Sequence, residues 1–134
     1  MAQGSAALNA ATDSTRGLIA TAARCWRAAR DDGAPVQQHL YTALAPHDAG
    51  ILAPVFDSLT TLCEAALGRA IRVGAAAKLS EDEHLLLGLI DGSKRRRACI
   101  DCAAGTASAL DCAICSTRIM LGLTANPLYR LAAG

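Results

Sequence analysis

Residues 93–123 read SKRRRACIDCAAGTASALDCAICSTRIMLGL, and the architecture of the chain turns on whether they form one helix or two. Ala103, Ala107, Leu110, Ile114, Thr117 and Leu121 recur at heptad-like spacing straight through Gly105. That pattern fits one continuous helix of about 45 Å, in which the glycine costs only about 1 kcal/mol relative to alanine. Gly105 is equally a good terminator, and Ser108 followed by Asp111 has the form of a fresh N-terminal cap. Those signals fit a hairpin turning near Ala107. Both alternatives stay open on the sequence.

The same stretch holds two Cys-x-x-Cys pairs, Cys99 with Cys102 and Cys112 with Cys115. Thiolates at i and i+3 can converge on one ion at about 2.3 Å each, as in four-thiolate zinc and iron–sulfur sites. In a hairpin centred on Ala107 the two pairs lie opposite each other and four sulfurs could meet. On one continuous helix, at about 100° per residue, they fan over roughly 200° and cannot share an ion. Two details weigh against metal. Ala103 and Ser116 follow the pairs, where a zinc knuckle has a residue able to turn the backbone, and the step from Cys102 to Cys112 is short for a zinc ribbon. The simpler expectation is that these cysteines pack as small apolar residues in an Ala-rich helix, with no cofactor. The alternative is a metal-binding or thiol-redox protein that uses Cys99, Cys102, Cys112 and Cys115, with zinc or an iron–sulfur cluster as the group held. The basic run from Lys94 to Arg97 would favour thiolates nearby, though such runs are usually solvated helix faces. Cys25 and Cys63 fall on apolar faces and are expected in the core.

Upstream, the chain punctuates itself into helices. Residues 1–12 are small and polar and are expected to be a flexible N-terminus ahead of a single helical domain at 13–134. Asp13 or Ser14 caps a first helix through Leu18, Ala22, Cys25, Trp26 and Ala29, ended by Gly33. Pro35 opens a short second helix through Val36, Leu40 and Leu44, which stops before Pro46. Leu52, Val55, Phe56, Leu59, Leu62, Cys63 and Ala66 define one face of a third helix, closed by Gly68. Arg69 to Leu79 reads as a connection with room for one extended piece at Ile71 to Val73. Ser80 with Glu83 forms a capping box, and Glu81, Asp82 and Glu83 suit the positive end of the helix dipole. Leu85, Leu86, Leu89 and Ile90 make the buried side of that fourth helix, and Gly92 stops it. Beyond Thr124, Asn126-Pro127 breaks any helix, and the tail can dock through Leu128, Tyr129 and Leu131.

Composition narrows the function classes. The 134 residues are 52% hydrophobic but only 3% aromatic, with about 30 alanines, so closely packed helices are expected. A net charge of +1 supplies no global field for nucleic acid or an anionic membrane. No basic leader or long apolar run opens the chain, and none of about 18 consecutive apolar residues occurs in it, so a cytoplasmic location without a membrane is expected. The excess of Arg over Lys, beside so much Ala and Gly, points to GC-rich coding and a bacterial source. Glu81 and His84 have the Glu-x-x-His spacing of di-iron bundles but no second copy, and His39 and His47 have no telling neighbour. Lys94 to Arg97 could touch phosphate, yet no aromatic stacking residues accompany them and nucleic acid is not expected. A glycine-rich phosphate loop, a nucleophile elbow and a His-Glu-x-x-His motif are all missing.

The expectation is an all-α protein, a single compact bundle of four to six helices with a long C-terminal helix or helical hairpin. Its third helix should pack against the first, the fourth and the last. The expected function is protein–protein contact without catalysis, including self-association as a homodimer whose partner covers an apolar stripe left exposed on the last helix.

Overall fold

The computed structural model describes residues 2–125, with side chains from residue 14 to residue 124. These residues form six helices: α1 (Ala2–Asp31), α2 (Val36–Leu44), α3 (Ala53–Leu67), α4 (Glu81–Asp91), α5 (Arg96–Cys99) and α6 (Ala104–Ala125). No strand occurs among them, and the only pairing in the α3–α4 connection is an isolated bridge between Ala75 and Lys78. The helix ends follow the local signals. Gly33, Gly68 and Gly92 each take a positive φ where α1, α3 and α4 stop. α1 departs from expectation at its other end, starting at Ala2, upstream of the expected cap at Asp13 or Ser14. Alanine is the best helix former, and four of them between Ala6 and Ala11 carry the helix without a cap. The break expected at Asn126-Pro127 and the tail through Leu128, Tyr129 and Leu131 lie outside the described residues.

α3 is the centre of the bundle, packed most extensively against α6 and then against α2 and α1. α4 makes its main contacts with α1 and α6, which corrects the expectation that it would lie against α3. Ile19, Trp26, Leu40, Leu44, Leu52, Leu59, Leu89 and Leu110 are fully buried between these helices. The single tryptophan keeps its polar edge satisfied, since Trp26 Nε1 donates to Asp57 Oδ1 at 3.0 Å. Gly50–Leu67, which comprises α3 and the turn before it, is long and apolar enough to cross a bilayer by composition alone. In the fold it is the helix around which the others pack.

The connection from Arg69 to Ser80 is held by three carboxylates. Glu64 accepts from Ile71 N at 2.9 Å and from Arg27 at 2.8 Å. Asp82 accepts both terminal nitrogens of Arg69, at 2.7 and 2.8 Å, and Arg72 N at 2.8 Å. Glu83 closes the capping box by accepting from Ser80 N at 2.8 Å while donating its own amide to Ser80 Oγ at 3.0 Å. It also accepts from Gly74 N at 2.9 Å and Arg24 Nε at 3.0 Å. The chain passes so close at Gly74 that a β-carbon there would collide with the Lys78 carbonyl. Asp82 and Glu83 are therefore buried anchors as well as dipole partners.

The decisive stretch resolves into neither of its two alternatives. α5 ends at Cys99, residues 100–103 carry no regular secondary structure, and α6 begins at Ala104. The break sits at Ile100, whose side chain is buried in the core with its backbone extended. Gly105 lies within the first turn of α6, where a terminator has no helix to end, and Ala107 is a helical residue rather than a turn.

Candidate functional site: the outer side of α6 and the basic cleft beside it

Orienting α6 decides where its side chains go. Leu110, Ala113, Ile114 and Thr117 are buried toward the bundle, so most of the expected heptad stripe is used in the core. Of that stripe Leu110, Ile114 and Thr117 are buried, Ala107 and Leu121 are half-buried, and Ala103 is exposed. On the opposite side, Ser108, Cys112, Cys115, Ile119, Gly122 and Leu123 are all exposed. At about 100° per residue they share an arc roughly 100° wide that contains no charged group. Ile119 is 59% exposed and Leu123 42%; among the described residues the other large apolar side chain so exposed is Tyr41. α6 thus carries buried apolar residues on one side and an uncharged exposed arc on the other.

The cysteines are separated by the same geometry. Cys99 is exposed at the end of α5, Cys102 is half-buried in the linker against the core, and Cys112 and Cys115 are exposed on α6. Among the described residues no three of His, Cys, Asp or Glu are grouped closely enough to hold a metal ion. Cys63 is fully buried, and desolvation, with Asp82 nearby, pushes its thiol up to about 12. Cys25 is half-buried and its thiol is also raised by burial. Both belong to packing rather than to reactivity. Glu81, His84, His39 and His47 are exposed.

One flank of the exposed arc drops into a cleft of about 430 Å³ between the end of α4, α5 and α6. Lys94, Arg95, Arg96, Arg97 and Arg118 line it together with Asp111 and Cys115. Arg96 meets Asp111 side-on, Nε to Oδ1 at 2.8 Å and Nη2 to Oδ2 at 3.2 Å, and also donates to the Ile100 carbonyl at 3.2 Å. That guanidinium, with Arg97 also near, holds the Asp111 carboxyl below its ordinary range. Arg118 reaches back to the carbonyls in the last turn of α4, with Nη2 on Leu89 O at 2.6 Å and Nε on Ile90 O at 3.1 Å. Gly88 leaves α4 bare beneath Lys94, for a methyl there would lie 2.5 Å from Lys94 Cγ. The basic run was visible in the sequence, but nothing in the sequence spacing ties Arg118 or Asp111 to it. A second hollow of about 580 Å³ beside Tyr41, lined by Gln37, Gln38 and Ile51 among others, carries no charged group.

The chain matches no protein-family model, and neither a curated protein nor a solved structure matches it.

Proposed function

We propose that the protein acts by binding rather than by catalysis, and that its primary contact is with a second copy of itself through the outer face of α6. The observation that carries this reading is the uncharged exposed arc from Ser108 to Leu123 on a helix whose other side is already packed. A two-fold interface must be self-complementary, and an arc free of charge meets that demand without repulsion between identical copies. Its small members, Cys112, Cys115 and Gly122, let two helix backbones approach closely, while Ile119 and Leu123 supply the apolar area. Free thiols, three of them exposed, suit a reducing compartment, and the cytoplasm is the location we assign.

Sedimentation equilibrium tests the pairing. Wild-type protein should form a concentration-dependent dimer, and Ile119→Lys should be monomeric, melting where wild-type protein melts once diluted to monomer. A wild-type chain that stays monomeric at its highest soluble concentration would refute it. Thiol chemistry is a second reading with one supporting observation, the exposed Cys115 beside the arginines of the cleft. Elemental analysis with thiol titration separates it from the metal alternative at Cys99, Cys102, Cys112 and Cys115. Six titratable thiols in denaturant without metal fit binding by α6, whereas about one zinc or iron per chain would replace that reading with a four-thiolate centre.

A further inference from the structure

Positive charge is concentrated in the cleft beyond what the chain as a whole carries. Five cations face one carboxylate, a formal +4, in a protein whose net charge is +1. The rest of the chain is therefore net negative, and a concave low-dielectric wall focuses the field of the cleft on whatever enters it.

Three features separate this cleft from a solvated basic face. Its volume of about 430 Å³ falls within the range of small-ligand sites. Two of its guanidinium groups are also fixed in advance. Arg118 is pinned through Nε and Nη2 to the end of α4, leaving Nη1 without a partner. Arg96 is pinned by Asp111 and Ile100, and the stem of Lys94 lies against Gly88. Groups held in place lose little freedom on binding. Finally, Arg95 and Arg97 line the same concave wall as these held groups and make no hydrogen bond or ion pair among the described residues, so both can turn to a ligand, although Arg97 lies near enough to Asp111 to act on its charge.

We infer that this cleft is a binding site for a small phosphate-bearing ligand, held by Lys94, Arg95, Arg97 and the free edge of Arg118. The carboxylate already present shows why phosphate fits better than a second carboxylate. Asp111 satisfies Arg96 alone, whereas the several oxygens of a phosphate group can accept from separate guanidinium forks at once. A small ligand fits better than a nucleic acid strand, because no aromatic side chain lines the cleft to stack a base.

The test is a titration of the full chain with inorganic pyrophosphate, followed by ¹H–¹⁵N correlation spectra at an ionic strength held constant with chloride. Saturable shifts are expected at residues 92–97 and 111–118. The double variant Arg95→Gln/Arg97→Gln should weaken the affinity at least tenfold at an unchanged melting temperature, while Arg16→Gln leaves it as in wild type. In Ile119→Lys, where pairing cannot cover Cys115, bound pyrophosphate should also slow its alkylation by iodoacetamide. The inference is overturned if the shifts fail to saturate, spread over the whole chain, or persist undiminished in the double variant. A single-stranded oligonucleotide that displaces pyrophosphate with an affinity growing with length would likewise overturn the small-ligand assignment. Repeating the titration in Ile119→Lys keeps this result independent of the α6 pairing.

Discussion

The connection after α3 and the segment after α4 are both rich in arginine, and they treat charge in opposite ways. Between Arg69 and Ser80 the cations meet buried carboxylates: Arg69 forks onto Asp82, and Arg24 reaches across from α1 to the fully buried Glu83. Arg24 also donates to the Ala76 and Lys78 carbonyls at 2.8 and 3.2 Å, so one guanidinium binds both the acid and the loop it anchors. Between Lys94 and Arg97 only Arg96 meets a carboxylate, and that acid, Asp111, is 53% exposed. In one region charge makes structure. In the other it is left facing a cleft, and a charge that the fold does not use is available to a ligand.

The sharpest way to break this contrast is Glu83→Ala. It would leave Arg24 and the amides of Gly74 and Ser80 without their acceptor in a buried setting, a loss of about 3–5 kcal/mol. Chemical denaturation would measure it, and a loss below about 1 kcal/mol would mean that the loop does not depend on its anchor.

Asp82→Asn should cost less, about 1–3 kcal/mol, because Arg69 stays partly solvated and the amide oxygen can still accept one bond. Its signature is in the pH dependence. The Arg69 hydrogen bonds lower the Asp82 carboxyl below its ordinary value, an effect only partly opposed by burial. A group depressed in the folded state contributes its stability above its unfolded value and loses it as the pH falls through the folded one. Wild-type protein should therefore lose stability below about pH 4 more steeply than Asp82→Asn, which has no carboxyl there to protonate. Parallel acid-denaturation curves would remove Asp82 from the account.

The smallest effect on stability belongs to the cleft. Arg95→Gln/Arg97→Gln should shift unfolding by no more than about 0.5 kcal/mol, since neither side chain has a partner to lose. A melting curve lowered by several degrees would show that these arginines support the fold after all.

Much of the helical plan was legible because its signals are local. Gly68 and Gly92 end their helices in the left-handed conformation, and the Ser80–Glu83 box forms with both of its bonds. The spacing of Leu110, Ile114 and Thr117 correctly marked one face of α6 as apolar. What spacing could not show was whether that face looked inward or outward, and the structure turns it into the core. The capping box likewise showed Glu83 bonding within its own turn and concealed the Arg24 pair, which spans 59 residues. The symmetric pairs Cys99/Cys102 and Cys112/Cys115 invited a shared ion. That geometry needed a turn at Ala107, which the structure places inside α6.

What the sequence determined by itself was the helical class, the order of the helices and most of their ends, because caps, glycines, prolines and apolar periodicity act within one or two turns of backbone. Three matters were left to the tertiary structure. The chain breaks at Ile100 because that side chain is drawn into a core formed by distant helices. α6 turns Cys112, Cys115, Ile119 and Leu123 outward because Leu110 and Ile114 pack inward. Among the described residues Arg95 and Arg97 form no ion pair, while Arg24 and Arg69 find theirs. Each of these outcomes rests on burial or ion pairing between segments far apart in the chain, and local pattern carries no information about which distant segments will meet.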